Sequence, residues 1–223
     1  MILLAFDTSS RGLSVGLLLD KSFTLFHEIA PMQQAKRILY LIDKCLSENN
    51  LSINQIDAIA FGRGPGSFTG VRIAISVAQG LGFAAQKPLI PISTLQATAL
   101  AAYQNLNWKR MVVAEDARMN EVYWAAYEVI SHNEVKLIGQ ENLTPADKMK
   151  LPDSTFAGVG GAWDVYQTSI GIKPALLHTN DLSLAKALLV LGENKFNSGE
   201  IVKPIDALPH YLRDNVAQKS NLV

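Results

Sequence analysis

The order of apolar segments in the first 105 residues constrains the fold of this chain more than any other feature. Residues 2–6 form a short apolar run of the kind that builds a buried strand. Residues 13–19 and 22–29 are predicted as two further strands, because turn-forming residues precede each of them. The chain therefore begins with a meander of three strands.

Helices and strands alternate after this meander. Apolar residues spaced three and four apart predict a helix over residues 33–49. A second helix is predicted to run from Thr69, a candidate N-cap, to Ala85, and a third from Ser93 to Asn105. Short apolar strands are predicted at 57–61 and 89–92. This order is typical of an actin-like nucleotide-binding lobe of the α/β class, in which a meander joins a parallel pair.

A looser second cycle follows, with a predicted helix at 184–191 and predicted strands at 111–114, 121–130 and 156–159. Thr144-Pro145-Ala146-Asp147 resembles a helix start, because proline stands at the first helical position and an acid three residues after the cap. The start of this cycle predicts a domain boundary near residues 103–110, which gives two lobes, 1–105 and 106–223. The tail, 204–223, is expected either to pack back on the body or to stay mobile.

Composition excludes several classes of function. Lys plus Arg and Asp plus Glu each total 20, so the chain lacks the basic excess of proteins that coat nucleic acid. Cys45 is the single cysteine, which excludes an intrachain disulfide, and its apolar surroundings predict a buried, inert thiol. The N-terminal residues do not resemble a signal peptide, and no mainly apolar stretch reaches the roughly 20 residues of a membrane span. We therefore expect a cytoplasmic protein with no membrane association.

The segment from Gly62 to Gly70 contains four glycines and a proline, which indicates a sharp turn or a close approach. It precedes a predicted helix N-terminus, where an anion is favoured. It is not a Walker loop, because Gly66 is followed by Ser67 and Phe68, and Ser67 breaks the dinucleotide fingerprint. A structural turn and direct phosphate binding both stay open, and the turn is favoured.

The helix after this loop carries minimal side chains at every fourth position: Gly70, Ala74, Ala78 and Gly82. Each helical glycine costs about 1 kcal/mol relative to alanine, so the stripe indicates that another backbone approaches closely. That backbone belongs either to the chain's own sheet, which spacing alone favours, or to a partner helix.

Asp7, Thr8 and Ser9 follow the first predicted strand and could hold a metal-bound phosphate, since a carboxylate accepts and hydroxyls donate hydrogen bonds. Turn capping explains the same residues. The four histidines are isolated, and none has a second histidine at metal-ligand spacing. We predict no catalytic residue and no metal-binding residue.

Four segments together resemble the bacterial TsaB family, also called YeaZ. They are Phe-Asp-Thr-Ser at 6–9, the glycine-rich segment 61–72, the segment 116–124 that begins Asp-Ala-Arg, and Tyr-Leu-Arg at 211–213. The resemblance covers nearly the whole chain in order. It implies a two-lobe, actin-like (ribonuclease H-like) fold and a degenerate paralogue of the catalytic protein TsaD.

The resemblance also implies a non-catalytic scaffold subunit that pairs with TsaD and with the ATPase TsaE. Together these proteins transfer a threonylcarbamoyl group to adenosine 37, beside the anticodon of certain tRNAs, so this chain would meet tRNA indirectly. Family members often carry a histidine on the first helix, where this chain has Gln34. No tightly bound cofactor is implied, although ATP or ADP could sit at the complex interface.

Self-association as a homodimer and pairing with TsaD use the first two helices in this family. The implied interface residues are Gln34, Ile38, Leu41, Ile42, Gly70, Ala74, Ala78 and Gly82. Arg118 and Arg213 are candidates for contacting a partner or a nucleotide, with exposed solubilising charge as the ordinary explanation. The alternative function is an independent nucleotide-dependent enzyme, ATPase or kinase-like, that uses Asp7. A glycoprotease-like hydrolase is a more distant alternative.

Overall fold

The computed structural model describes residues 1–29, 32–153 and 155–213. Its first sheet comprises β1 (Ile2–Asp7), β2 (Gly12–Leu19), β3 (Ser22–Ile29), β4 (Ala58–Gly62) and β5 (Leu89–Ile92). The strand order is β3-β2-β1-β4-β5, with β1, β2 and β3 antiparallel and β1, β4 and β5 parallel. The predicted meander, the parallel pair and the actin-like α/β class are confirmed.

Apolar side chains fill both faces of this sheet because successive residues of a strand point in opposite directions. Leu4 and Phe6 of β1 belong to a core cluster with α1 (Gln34–Ser47) and α2 (Phe68–Ala85). Leu3 and Ala5 belong to a second cluster with α3 (Thr94–Leu106) and the second sheet. The first sheet is therefore buried between two layers.

The start of α2 differs from the prediction. Ser67, not Thr69, is the N-cap, because its backbone is still non-helical and its hydroxyl oxygen accepts a 3.4 Å hydrogen bond from the Gly70 N–H. Thr69 already lies inside the helix. Both Ser67 and Thr69 carry a hydroxyl, and the helix begins directly after the first of them, at Phe68.

The second sheet comprises β6 (Arg110–Arg118), β7 (Glu121–Ser131), β8 (Glu134–Pro145), β9 (Ala157–Val159) and β10 (Leu177–His178), in the order β10-β9-β6-β7-β8, followed after β9 by the short α4 (Ala162–Val165). Strand β8 was not predicted. Thr144 and Pro145 end this strand and a 3₁₀ turn follows, so the predicted helix start there was wrong. Thr144 instead pairs with Val122 of β7.

Helix α5 (Ala185–Asn197) falls in the sequence range predicted for the second lobe, yet it packs on the first sheet. A Cβ added at Gly192 would lie 2.9 Å from the Cβ of Ala60 on β4. Val202 then forms an antiparallel bridge to Leu89 on the edge strand β5. The two sheets divide between residues 92 and 110, but the chain after residue 184 returns to the first sheet.

Helix α2 is the one helix among the described residues that is long and apolar enough, by length and composition, to cross a membrane. Its inward face is buried against the first sheet, where Ala74 and Ala78 have no exposed surface. Packing inside the fold thus accounts for the apolar residues on the inward face of α2.

Candidate functional site

Asp7, Thr8 and Ser9 lie at the carboxyl end of β1 and are buried. One oxygen of the Asp7 carboxylate, Oδ1, accepts a hydrogen bond from the Ser9 N–H at 2.8 Å. The other, Oδ2, accepts from the Ser9 hydroxyl at 2.8 Å and the Thr94 hydroxyl at 3.1 Å. The carboxylate is therefore occupied by donors of its own chain, which is the turn-capping role considered for it.

Burial raises the pKa of Asp7 above its ordinary value, and the hydrogen bonds from Ser9, Thr94 and Ser10 oppose that rise. An unpaired carboxylate at this depth would be strongly disfavoured. The hydrogen bonds thus hold the carboxylate in place rather than leaving its oxygens free for a ligand.

The glycine-rich loop lies directly on this strand end. The Ser67 N–H donates a 2.8 Å hydrogen bond to the Ser9 carbonyl oxygen. A Cβ at Gly66 would lie 2.7 Å from that same oxygen, and a Cβ at Gly62 would overlap the Asp7 carboxylate. The glycines are needed so that the loop can contact residues 7–9, and this geometry supports the structural turn over direct phosphate binding.

A cavity of about 20 Å³ lies beside this turn and is lined by residues of both lobes. Its lining includes Arg11, Glu115 of β6, the glycines Gly160 and Gly161, and Asp181. A space of this size accommodates about one water molecule. A nucleotide would need a site of several hundred Å³, so this cavity is too small to hold one.

Glu115 and Asp116 are adjacent on β6 and point to different environments. Burial raises the pKa of Glu115 to about 7, and the Gly161 N–H, at 3.4 Å from its carboxylate, opposes the rise. Asp116 accepts a 2.7 Å hydrogen bond from the Tyr166 hydroxyl and another from the Arg118 N–H. The two carboxylates do not form a catalytic pair.

His27, on β3 of the first sheet, contacts the neighbouring strand β2 and the segment before α5. Its Nε2 lies 3.2 Å from Asp181 Oδ2, and its Nδ1 lies 3.1 Å from the Ser14 hydroxyl. That hydroxyl oxygen also accepts a hydrogen bond from the Leu184 N–H. Within residues 1–29, 32–153 and 155–213, no three His, Cys, Asp or Glu side chains are grouped so that they could hold a metal ion.

Most of the residues predicted at a partner interface face the interior of the chain. Gln34 is half-buried, and seven are buried: Ile38, Leu41, Ile42, Gly70, Ala74, Ala78 and Gly82. A Cβ at Gly82 would lie 2.7 Å from Leu89 of β5, so the small-residue stripe serves the contact of α2 with the sheet. These seven residues, three on α1 and four on α2, pack inside their own chain, so their contact with a partner stays a prediction that their burial does not support.

Large apolar side chains are instead exposed on α1 and α2, at Met32 just before α1, and on residues 204–213, here called the C-terminal strap. We call this set the outer helix surface: Met32, Leu39, Tyr40, Phe68, Phe83, Ile205, Leu208 and Tyr211. Their exposed fractions range from 47% for Phe68 and Tyr211 to 97% for Met32. Leu39 directly follows the buried Ile38, but 55% of its surface is exposed.

The C-terminal strap is held on α2 by contacts that sequence reasoning missed. The Tyr211 hydroxyl accepts a 3.0 Å hydrogen bond from Arg72, and the Tyr211 ring stacks on Phe68 with centroids 6.3 Å apart. The Gln79 side chain donates to the Ala207 carbonyl oxygen at 3.1 Å. The strap therefore extends the outer helix surface. Residues 214–223 of the predicted tail lie outside the described residues.

Arg118 and Arg213 lie in different surroundings. Arg118 stands at the β6–β7 turn, where Arg118, Met119 and Asn120 all have positive φ. Its side chain is 86% exposed and contacts Asp116 at 3.1 Å. Arg213 forms an ion pair with Glu121, and only 18% of its side chain is exposed. Arg118 is free to meet another molecule, whereas Arg213 is engaged within the chain.

Comparison with known proteins gives consistent results. Residues 27–220 match the family model described as TsaD, tRNA N6-adenosine threonylcarbamoyltransferase. The chain is 37% identical to the tRNA threonylcarbamoyladenosine biosynthesis protein TsaB of Haemophilus influenzae, over 98% of this chain and 96% of that protein. It is 35% identical to TsaB of Escherichia coli, over 98% of this chain and 97% of that protein.

Among solved structures, the chain is similar to YeaZ from Pseudomonas aeruginosa. The TM-score is 0.89 and the sequence identity 39%, and the match covers 95% of this chain and 99% of that one. The similarity therefore extends over both sheets and the helices between them.

Proposed function

Because the chain belongs to the TsaB (YeaZ) family, we propose that it is the non-catalytic subunit of the cytoplasmic machinery that makes threonylcarbamoyladenosine in tRNA. Relatives of this chain are named as threonylcarbamoyladenosine biosynthesis proteins over nearly its full length. In this proposal the chain binds TsaD, the catalytic relative whose family model it matches. The ATPase TsaE completes the assembly, and any ATP or ADP sits at the interface rather than inside this chain.

The closed site at the end of β1 supports a non-catalytic role. A phosphate-transferring actin-like enzyme needs an acidic side chain that can reach a metal or phosphate, and space for a nucleotide beside it. Here Asp7 is buried and hydrogen-bonded to Ser9 and Thr94, and the adjoining cavity is about 20 Å³. The independent nucleotide-dependent enzyme is therefore the weaker proposal. That alternative predicts that the chain alone hydrolyses ATP and that Asp7→Ala abolishes the hydrolysis.

The outer helix surface is the single observation that carries the binding role. Isolated exposed apolar residues are normal, but a group on adjoining elements of a soluble domain marks an interaction site. Aromatic side chains dominate the energetics of protein interfaces, and four of this group are aromatic: Tyr40, Phe68, Phe83 and Tyr211. A second copy of the chain could use the same surface before TsaD replaces it.

Size-exclusion chromatography of the chain mixed with TsaD, with and without ATP, tests this proposal. We expect co-elution for the natural chain and about tenfold weaker binding for Leu39→Glu, because a carboxylate would be desolvated in the interface. Ile130→Glu is the matched control, since Ile130 is 53% exposed on β7, outside the outer helix surface. No co-elution under any nucleotide condition, or equal effects of the two variants, would contradict it.

A further inference from the structure

A second open space lies at the end of β5, where α3 begins. It is a groove of about 290 Å³. Its polar lining comes from Arg63, Ser93, Gln96, Lys195 and Glu200, and its apolar lining from β5 and residues 201–202. The groove is distinct from the closed cavity beside Asp7 and is not used by the proposed scaffold function.

Arg63 is the unusual residue of this groove. Its backbone is fixed, since its N–H donates to the Ile92 carbonyl oxygen at 2.8 Å and its own carbonyl oxygen accepts from the His210 N–H at 3.0 Å. Its guanidinium makes no hydrogen bond or ion pair to any described residue, and its Nε is buried without an acceptor. Arginine stays charged in proteins, and a buried donor without an acceptor is costly.

Neither Glu200 nor Glu141 forms a hydrogen bond or an ion pair with Arg63 among the described residues. Glu200 pairs with Lys195 at 2.6 Å, and that hydrogen bond lowers the pKa of Glu200. Glu141 Oε1 accepts hydrogen bonds from the hydroxyls of Ser93 and Tyr127, and Oε2, which is buried without a hydrogen bond, lies 3.3 Å from His210 Nε2. Arg63 is thus a cation whose buried Nε has no acceptor among the described residues.

We propose that this groove binds a phosphate group through Arg63. The planar guanidinium offers two parallel donors to phosphate oxygens, and a bidentate pair of this kind is strong. The Gln96 amide can donate a further hydrogen bond, and the first turn of α3 adds positive potential. Because the groove opens to solvent, the remainder of a phosphorylated molecule can extend outward. The phosphate belongs either to a free nucleotide or to an RNA backbone.

Isothermal titration calorimetry with inorganic phosphate, AMP and a single-stranded RNA oligonucleotide tests the proposal and separates these sources. We expect saturable binding by the natural chain and a loss of about tenfold or more in Arg63→Gln. Lys150→Gln removes one exposed positive charge from the second lobe and should bind within about twofold of the natural chain. If AMP and inorganic phosphate bind and the RNA does not, the ligand is a free phosphate compound. If only the RNA binds, and its binding depends on Arg63, the ligand is the RNA backbone.

Gln96→Glu tests the site without removing Arg63. The new carboxylate would supply the missing acceptor inside the groove, so we expect phosphate binding to be abolished and the melting temperature to be equal or higher. The proposal is overturned if none of the three probes binds in an Arg63-dependent way. It is also overturned if Gln96→Glu binds phosphate as the natural chain does.

Discussion

The Thr8 hydroxyl donates a 2.6 Å hydrogen bond to the Gly70 carbonyl oxygen, across 62 residues of chain. The contact joins the turn after β1 to the first turn of α2, and a Cβ on Gly70 would overlap the Thr8 carbonyl oxygen. Two motifs that in an actin-like enzyme could both face a ligand are here packed on each other. The glycine loop therefore stabilises the fold at the position where a phosphate would otherwise enter.

The first prediction concerns this contact. Gly70→Ala should destabilise the chain by about 3 kcal/mol, because the methyl group meets backbone that cannot move away. Gly80→Ala on the same helix is the control, since nothing lies within 4 Å of its added Cβ. It should stabilise the chain by up to about 1 kcal/mol through helix propensity. Urea unfolding measures both, and equal stability of the two variants would contradict the packing.

The inward position of the small-residue stripe gives the second prediction. Ala78→Leu should lower the free energy of unfolding by about 2 kcal/mol, because Ala78 has no exposed surface and the larger side chain must displace the sheet. Ala84→Leu on the exposed side of α2 should change stability by no more than about 0.5 kcal/mol. A fully stable Ala78→Leu chain that merely lost TsaD binding would instead place the stripe at the interface.

Cys45 gives a prediction about reactivity. Burial raises the pKa of its thiol to about 12, so at pH 8 almost none is the reactive thiolate. The folded chain should not react with Ellman's reagent, and urea should expose its one thiol. Ser47→Cys, which adds an exposed thiol on the same helix, should react in the folded state. Rapid labelling of the natural folded chain would show that α1 opens at Cys45.

Glu115 gives a prediction about pH. Burial raises its pKa to about 7 from an ordinary value of 4.5. The folded chain therefore holds this proton at pH values where the unfolded chain has released it, so stability falls as pH rises from about 4.5 to 7. Glu115→Gln should remove that fall and be more stable than the natural chain at pH 8 by about 3 kcal/mol. If the free energy of unfolding of the natural chain and of Glu115→Gln changed equally with pH, Glu115 would ionise without cost and the prediction would be wrong.

Much of the fold could be predicted because it depends on local patterns. The residues 22–29 and 89–92 were predicted as strands with their observed bounds, and the thiol of Cys45 was correctly predicted as buried. Strand β8 was not predicted because apolar and polar residues alternate only weakly along it. Its pairing with β7, rather than its own composition, specifies this strand. Pairing likewise overrode the helix signal at Thr144 and Pro145.

The candidate site was harder to predict, since its contacts join distant parts of the chain. Ile38 and Leu39 are neighbouring apolar residues of α1, but only Ile38 is buried against the sheet. The stacking of Tyr211 on Phe68 and its bond to Arg72 involve the C-terminal strap, which carries no periodic signal. Small residues at every fourth position indicated close packing, but a pattern of that kind does not say which backbone approaches.

Reconstitution of threonylcarbamoyl transfer to tRNA tests the central claim most directly. TsaD and TsaE would be assayed alone, with the natural chain, with Leu39→Glu and with Ile130→Glu. We predict little transfer without this chain, full transfer with the natural chain and Ile130→Glu, and at least about tenfold less at limiting concentration with Leu39→Glu. Transfer by this chain in the absence of TsaD, or equal transfer whether or not the chain is added, would contradict the account.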